Sequence, residues 1–327
     1  MKISKNLKKS KNSFNFLGGR IVTKFFTDKM SQLSRQIGNF ARTACILEVT
    51  TEKPGNVTPT HDFTDTKFEN FVFGSMLIGD VVEKAFINGE QENFRIGKRI
   101  YDFVRQSKTD NKTNTHFGIA LLFIVLATAL GTMLKKQNVK KFKNFDELKD
   151  AIDYVMKKTE SNDSVYLHKA INLANVRVSE NVDKFDVRAR NFAALVRKEN
   201  VKFYDLLKIC SDKDLIAKEL TTKMDISFGY LVFLKNFSGV SREISRKKIL
   251  FLYLNLLSKE PDTLIVKKYG INKAKEVSKM AKEVIAKNLA IEKFSDYMYK
   301  NNINPGSTAD ITANIVFLCL LKKFINL

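Results

Sequence analysis

Apolar positions recur at three- and four-residue intervals along almost the whole chain after residue 30, the spacing of helices that bury one face. The period predicts helices near 31–50, 66–87, 92–107, 116–136, 145–158, 163–174, 186–197, 201–221, 225–237, 241–258, 271–287, 289–302 and 307–325. Asn144 with Glu147 three residues later predicts a capped start, and Gly270 after Lys267, Lys268 and Tyr269 predicts a stop. No fixed-period repeat and no alternating strand series interrupts this pattern, so the expected fold is all-α, one large multi-helix domain over residues 31–327. The apolar run from Phe117 to Leu134 has the minimum length for crossing a bilayer. Gly118, Thr128, Gly131 and Thr132 interrupt it, and the polar Thr113 to His116 precedes it, so a central helix buried on all sides is expected instead of a membrane span.

Composition supports the same class. Only 14 Gly and 4 Pro leave little turn chemistry for an all-β or doubly wound fold, and 26 Phe can fill a large core. Residues 1–30 differ from the rest: they are rich in Lys, Asn and Ser, are broken by Gly18 and Gly19, and predict a basic, flexible extension. Cys45, Cys210 and Cys319 are odd in number and far apart, which points to a reducing, cytoplasmic setting without a disulfide framework. The net charge of +21 attracts polyanions of any kind, so a basic helical RNA-binding protein is the competing class; charge scattered over helix faces favours solvated surface over a nucleic-acid partner.

Three polar segments each run directly into an apolar helix: Glu48 to Glu69, Asn114 to Gly118, and Asn304 to Asp310. Helix N-termini present unpaired N–H groups and partial positive charge, so each junction is either an ordinary cap or a phosphate cradle. In the first, Glu48, Lys53, Gly55, Asn56, His61, Asp62, Asp65 and Glu69 lie close in sequence. Asp65 and Glu69 are four residues apart, so a helix beginning near Asp65 would put both carboxylates on one face, where Mg²⁺ would relieve their repulsion. His61 and His116 both fall in these segments and suit phosphate binding or proton transfer.

With Lys53-Pro54-Gly55 and His61-Asp62, Asn114-Thr115 with Gly118, and Asn304-Pro305-Gly306 with Ala309-Asp310, the sequence resembles the triphosphoribosyl-dephospho-CoA synthase family. Pro261 to Ile265, with the basic pair after it, looks like a further family segment. The resemblance implies a cytoplasmic all-α transferase that moves the triphosphoribosyl group of ATP onto 3′-dephospho-CoA, or a related acceptor, and releases adenine. It implies Asp62, with Glu48 as the alternative, as base or oxocarbenium stabiliser, His61 beside them, Asp65 and Glu69 as Mg²⁺ ligands, and Asp310 as a second metal or ribose contact. Lys53, Gly55, Asn56, Asn114, Thr115, His116, Asn304, Gly306 and Ser307 would hold the nucleotide and its phosphates. The segment after Ala174, Asn175 to Asn181, departs from the Gly-rich element frequent in the family and leaves the acceptor open.

Overall fold

The computed structural model describes residues 31–110, 115–137, 144–176, 185–235 and 245–322. The expected extension over 1–30 and most of the segment after Ala174 lie outside them. Fourteen helices and no strand occur among the described residues. They are α1 (31–49), α2 (Phe68–Glu90), α3 (Ile96–Asp110), α4 (Phe117–Gln137), α5 (Phe145–Lys157), α6 (Ser161–Ala174) and α7 (Phe192–Lys198), followed by α8 (Phe203–Cys210), α9 (Leu215–Thr221), α10 (Asp225–Lys235), α11 (Arg246–Lys259), α12 (Thr263–Ile285), α13 (Ile291–Lys300) and α14 (Gly306–Leu321).

Helix α4 is the axis of the molecule. By length and composition it could cross a membrane, yet every side chain from Ile119 to Leu134 is buried against other helices. Its polar interruptions have packing reasons. Thr128 donates to the Ile124 carbonyl at 2.7 Å, and Thr132 reaches across to the Gly89 carbonyl of α2 at 3.1 Å. There α2 and α4 approach backbone to backbone: a Cβ on Gly89 would lie 2.0 Å from the Thr128 carbonyl oxygen. Helices α2, α3, α5, α9 and α14 surround α4 and share one core with it, while α11, α12 and α13 build a second core on Tyr253, Leu257, Phe294 and Met298. Helix α14 packs against α4 on one side and α11 and α12 on the other, so its N-terminus opens where the two cores meet.

Asn144 caps α5 as expected, accepting from the N–H groups of Asp146 and Glu147. Elsewhere the periodicity needs correction. The helix expected over 201–221 is two, because the polar Ser211 to Asp214 breaks it and Asp214 caps α9 through Ile216 N and Ala217 N, each at 2.9 Å. Helix α12 begins eight residues before the expected 271, because Asp262 caps its first turn; Gly270, at φ +83°, kinks it where a stop is expected. Helix α2 begins at Phe68, so Asp65 precedes the helix and shares no helical face with Glu69. Gly89→Ala should destabilise the protein by about 1–3 kcal/mol through overpacking of the α2–α4 contact, measured by urea unfolding.

Candidate functional site

One buried cation fixes the turn after α1. Lys53 is 1% exposed, and its Nζ donates to Glu48 Oε1 at 3.0 Å, to the Glu48 carbonyl, and to the Thr51 carbonyl at 3.0 Å. An ammonium has three N–H groups, and all three are used inside the protein. The next residues are held against the second core. Gly55 has φ +80°, and a Cβ there would lie 2.6 Å from the Ile303 carbonyl oxygen, so both conformation and space call for glycine. Tyr253 Oη donates to the Pro54 carbonyl at 2.7 Å, Tyr299 Oη to the Asn56 carbonyl at 2.9 Å, and Asn56 Nδ2 to Asn304 Oδ1 at 3.0 Å. The first polar segment is thereby bonded to the third.

The second segment joins them at the start of α4. A Cβ on Gly118 would lie 2.0 Å from Asp310 Oδ2, and the Asp310 carboxylate accepts the Ile119 N–H. Asp310 thus serves the first turn of α4, whereas the first turn of its own helix is capped from outside. Asp262 accepts Leu264 N and Ile265 N on Oδ1, and Thr308 N and Thr308 Oγ1 on Oδ2 at 2.7 and 2.8 Å. One carboxylate therefore orients the N-termini of both α12 and α14. Ser307 Oγ lies 2.9 Å from Thr263 Oγ1 in the same joint.

The three segments enclose a cavity of about 330 Å³, lined by Glu48, Asn56, His116, Asn304, Ser307 and Asp310. Thr115, Gly118 and Gly306 also line it, as do Asp214, Lys267 and Lys268. Lys267 pairs with Asp214 Oδ2 at its edge. Asp214 falls inside the helix that periodicity predicts over 201–221, and the polar run Ser211 to Asp214 is the sequence signal that marks it.

Burial sets the charge states. It pushes the Asp310 carboxyl well above the usual range, and the charges of Glu48, Asp262 and Asp214 push it further. Glu48 is raised by burial too, with the Lys53 charge and hydrogen bond opposing. His116, at φ +63°, is pushed down to about 3 by burial and is neutral at physiological pH. Both of its ring nitrogens, together with Asn56 Oδ1, are buried without a hydrogen-bond partner. Buried polar groups are nearly always paired, so three such atoms around one cavity point to a polar ligand.

The rest of the first segment lies elsewhere. His61, Asp62, Asp65 and Glu69 are exposed and line no part of this cavity. His61 stacks on Tyr299 with centroids 4.0 Å apart, Asp62 accepts the Phe68 N–H at the start of α2, and Asp65 accepts from Thr66 Oγ1. Asn114 lies outside the described residues. No group of three or more His, Cys, Asp or Glu among the described residues could hold a metal ion, so Asp65, Glu69 and Asp310 do not form one site.

The buried imidazole makes an acid-sensitivity prediction. His116 takes up a proton below its unfolded value near 6.5 only when the chain unfolds, so the native state loses stability as the pH falls from 6.5 toward 3. Between pH 7 and pH 5 the wild type should lose about 2 kcal/mol more than His116→Gln, read by urea unfolding at the two pH values.

The family model for ATP:dephospho-CoA triphosphoribosyl transferase, CitG, matches residues 34–326. Among solved structures, the chain is similar to a crystal structure of a proposed triphosphoribosyl-dephospho-CoA synthase from Archaeoglobus fulgidus, at 24% identity and a TM-score of 0.58 over 76% of this chain and 98% of that one. That likeness concerns the fold. No curated protein matches the chain significantly. Since the family model runs from within α1 through the last described helix and takes in all three segments around the cavity, the chain belongs to the ATP:dephospho-CoA triphosphoribosyl transferase family, transferases that move the triphosphoribosyl group of ATP to dephospho-CoA.

Proposed function

We propose that the cavity between Glu48, His116 and Asp310 is where the triphosphoribosyl group is transferred, and the observation that carries this is its set of unpartnered buried polar atoms. In the reaction the C1′–N9 bond of ATP breaks, a bond from an acceptor hydroxyl oxygen to C1′ forms, adenine gains a proton and the hydroxyl loses one. Positive charge develops at C1′ meanwhile. Two carboxyls whose environments separate their proton affinities suit these tasks. Asp310, its proton affinity raised by burial and by three neighbouring carboxylates, donates to the departing adenine. Glu48, balanced by Lys53, stabilises charge at C1′ and takes the hydroxyl proton. A proton passing from Glu48 to Asp310 restores the starting state. His116 and Asn56 complete their hydrogen bonding on the nucleotide, with Asn304 and Ser307 beside them.

In this reading Lys53 acts through Glu48 and not on phosphate, and Asp62 and His61 shape the loop ahead of α2. Magnesium belongs with the triphosphate as MgATP, since the carboxylates expected to hold it are not gathered. The acceptor is dephospho-CoA, as in the family. Three unpaired thiols fit a reducing cytoplasmic setting. The +21 charge serves to draw in two polyphosphate substrates, with the remainder on solvated helix faces.

With ATP and dephospho-CoA supplied, Glu48→Gln and Asp310→Asn should each lower adenine release about a hundredfold or more, while Asp62→Asn largely retains it. Far-UV circular dichroism and melting temperature check that each variant folds. Loss of release in Asp62→Asn with retention in Glu48→Gln would move the reaction centre out of the cavity.

A further inference from the structure

Two more chambers open off the central cavity, and all three share Asp214 and Lys267 in their walls. The larger, about 850 Å³, is polar and carries Arg188, Lys213, Lys218 and Lys267. The smaller, about 110 Å³, is an apolar branch between α4, α6, α8 and α9. Leu167, Ile171, Phe185, Leu206, Leu207 and Ile209 line it away from the central cavity, with Cys210 among them. Phe117, Leu121, Val176 and Ile216 belong to both the branch and the central cavity, so the two are continuous.

The chemistry of the two substrates divides among these chambers. Each substrate has an adenosine and a chain of phosphates, and only the acceptor has a long uncharged arm. Phosphates require cations and cannot enter an apolar branch without a large desolvation cost, so they belong to the polar chamber and to Lys267 at the junction. A purine is excluded by size and by chemistry. An apolar cavity of about 150 Å³ holds a benzene ring. The branch is smaller than that, and its mostly apolar walls offer few partners to the ring nitrogens of adenine. A few atoms of slender, weakly polar chain do fit.

We infer that this branch seats the thiol end of the pantetheine arm of dephospho-CoA, placing its thioethyl group among Leu167, Ile171 and Leu206 with Cys210 alongside. The inference rests on the assignment of the neighbouring cavity as the site of transfer. It makes the branch the part of the cleft that distinguishes acceptor from donor, because ATP has nothing to place there. Lys267, released from Asp214 or shared with it, is positioned to meet the pyrophosphate that joins the arm to the acceptor adenosine.

The test uses the full chain and Cys210 as a reporter. Iodoacetamide labelling of Cys210, located by peptide mass, is compared in the presence of S-methyl dephospho-CoA, ADP and ATP; the methyl group keeps the ligand from consuming reagent. The expected result is protection by S-methyl dephospho-CoA and none by ADP, which shares the adenosine diphosphate but lacks the arm, or by ATP. Ile209→Glu, at a half-exposed position on the branch wall, should raise KM for dephospho-CoA about tenfold while KM for ATP holds. Equal protection by ADP or ATP, or a rise in KM for ATP instead, would assign the branch to an adenosine and overturn the inference. Absence of any protection in a protein that turns over would overturn it as well. Failure of the wild type to release adenine counts against the transfer reading, whereas the labelling pattern still reports the branch by binding alone.

Discussion

The Glu48–Lys53 ion pair is the constraint on which the site depends. A fully buried ammonium is tolerated only when its three N–H groups are satisfied, and here the side chain that satisfies one of them also faces the cavity. The pair closes the chain after α1 into a tight turn. That turn carries Pro54 to Tyr253, Gly55 against the Ile303 carbonyl, and Asn56 to Asn304. Removing one partner of such a pair strands a buried charge, at a cost of about 3–5 kcal/mol. The interaction that anchors the loop is thus the one that holds a carboxylate at the cavity wall.

Around it, two of the helix starts that border the cavity are organised by groups from other elements. Asp310 of α14 serves the first turn of α4, and Asp262 ahead of α12 serves the first turn of α14. Glu48, Asp262 and Asp214 lie close enough to raise the proton affinity of Asp310, and each of these carboxyls completes a helix N-terminus or an ion pair. These contacts place the carboxyls at the meeting of two cores.

The helices, the buried α4 and the three polar junctions could be read in the sequence, because 3.6-residue periodicity and Asn, Pro and Gly at helix starts are local signals; the grouping of those junctions came only from the family resemblance. What escaped was tertiary. A lysine beside carboxylates in sequence looks like a phosphate ligand, and only its burial against Glu48 and Thr51 reveals that its donors are used. Asp65 and Glu69 looked like one helical face until Asp62 capped the chain at Phe68. Asp214 was concealed inside a periodic stretch whose break depends on its own capping hydrogen bonds. Residues 50–69 therefore divide into a buried part that faces the cavity and an exposed part that does not, a division that sequence proximity hides.

That division can be observed directly, since the chain has only three histidines, His61, His116 and His168. The ring resonances of a histidine-labelled sample, assigned by single substitutions, are followed while ATP is added. Binding in the cavity predicts that His116 shifts as its unpartnered nitrogens acquire a hydrogen bond, while His61, stacked on Tyr299 outside it, stays in place. A shift of His61 with His116 unmoved would contradict the account.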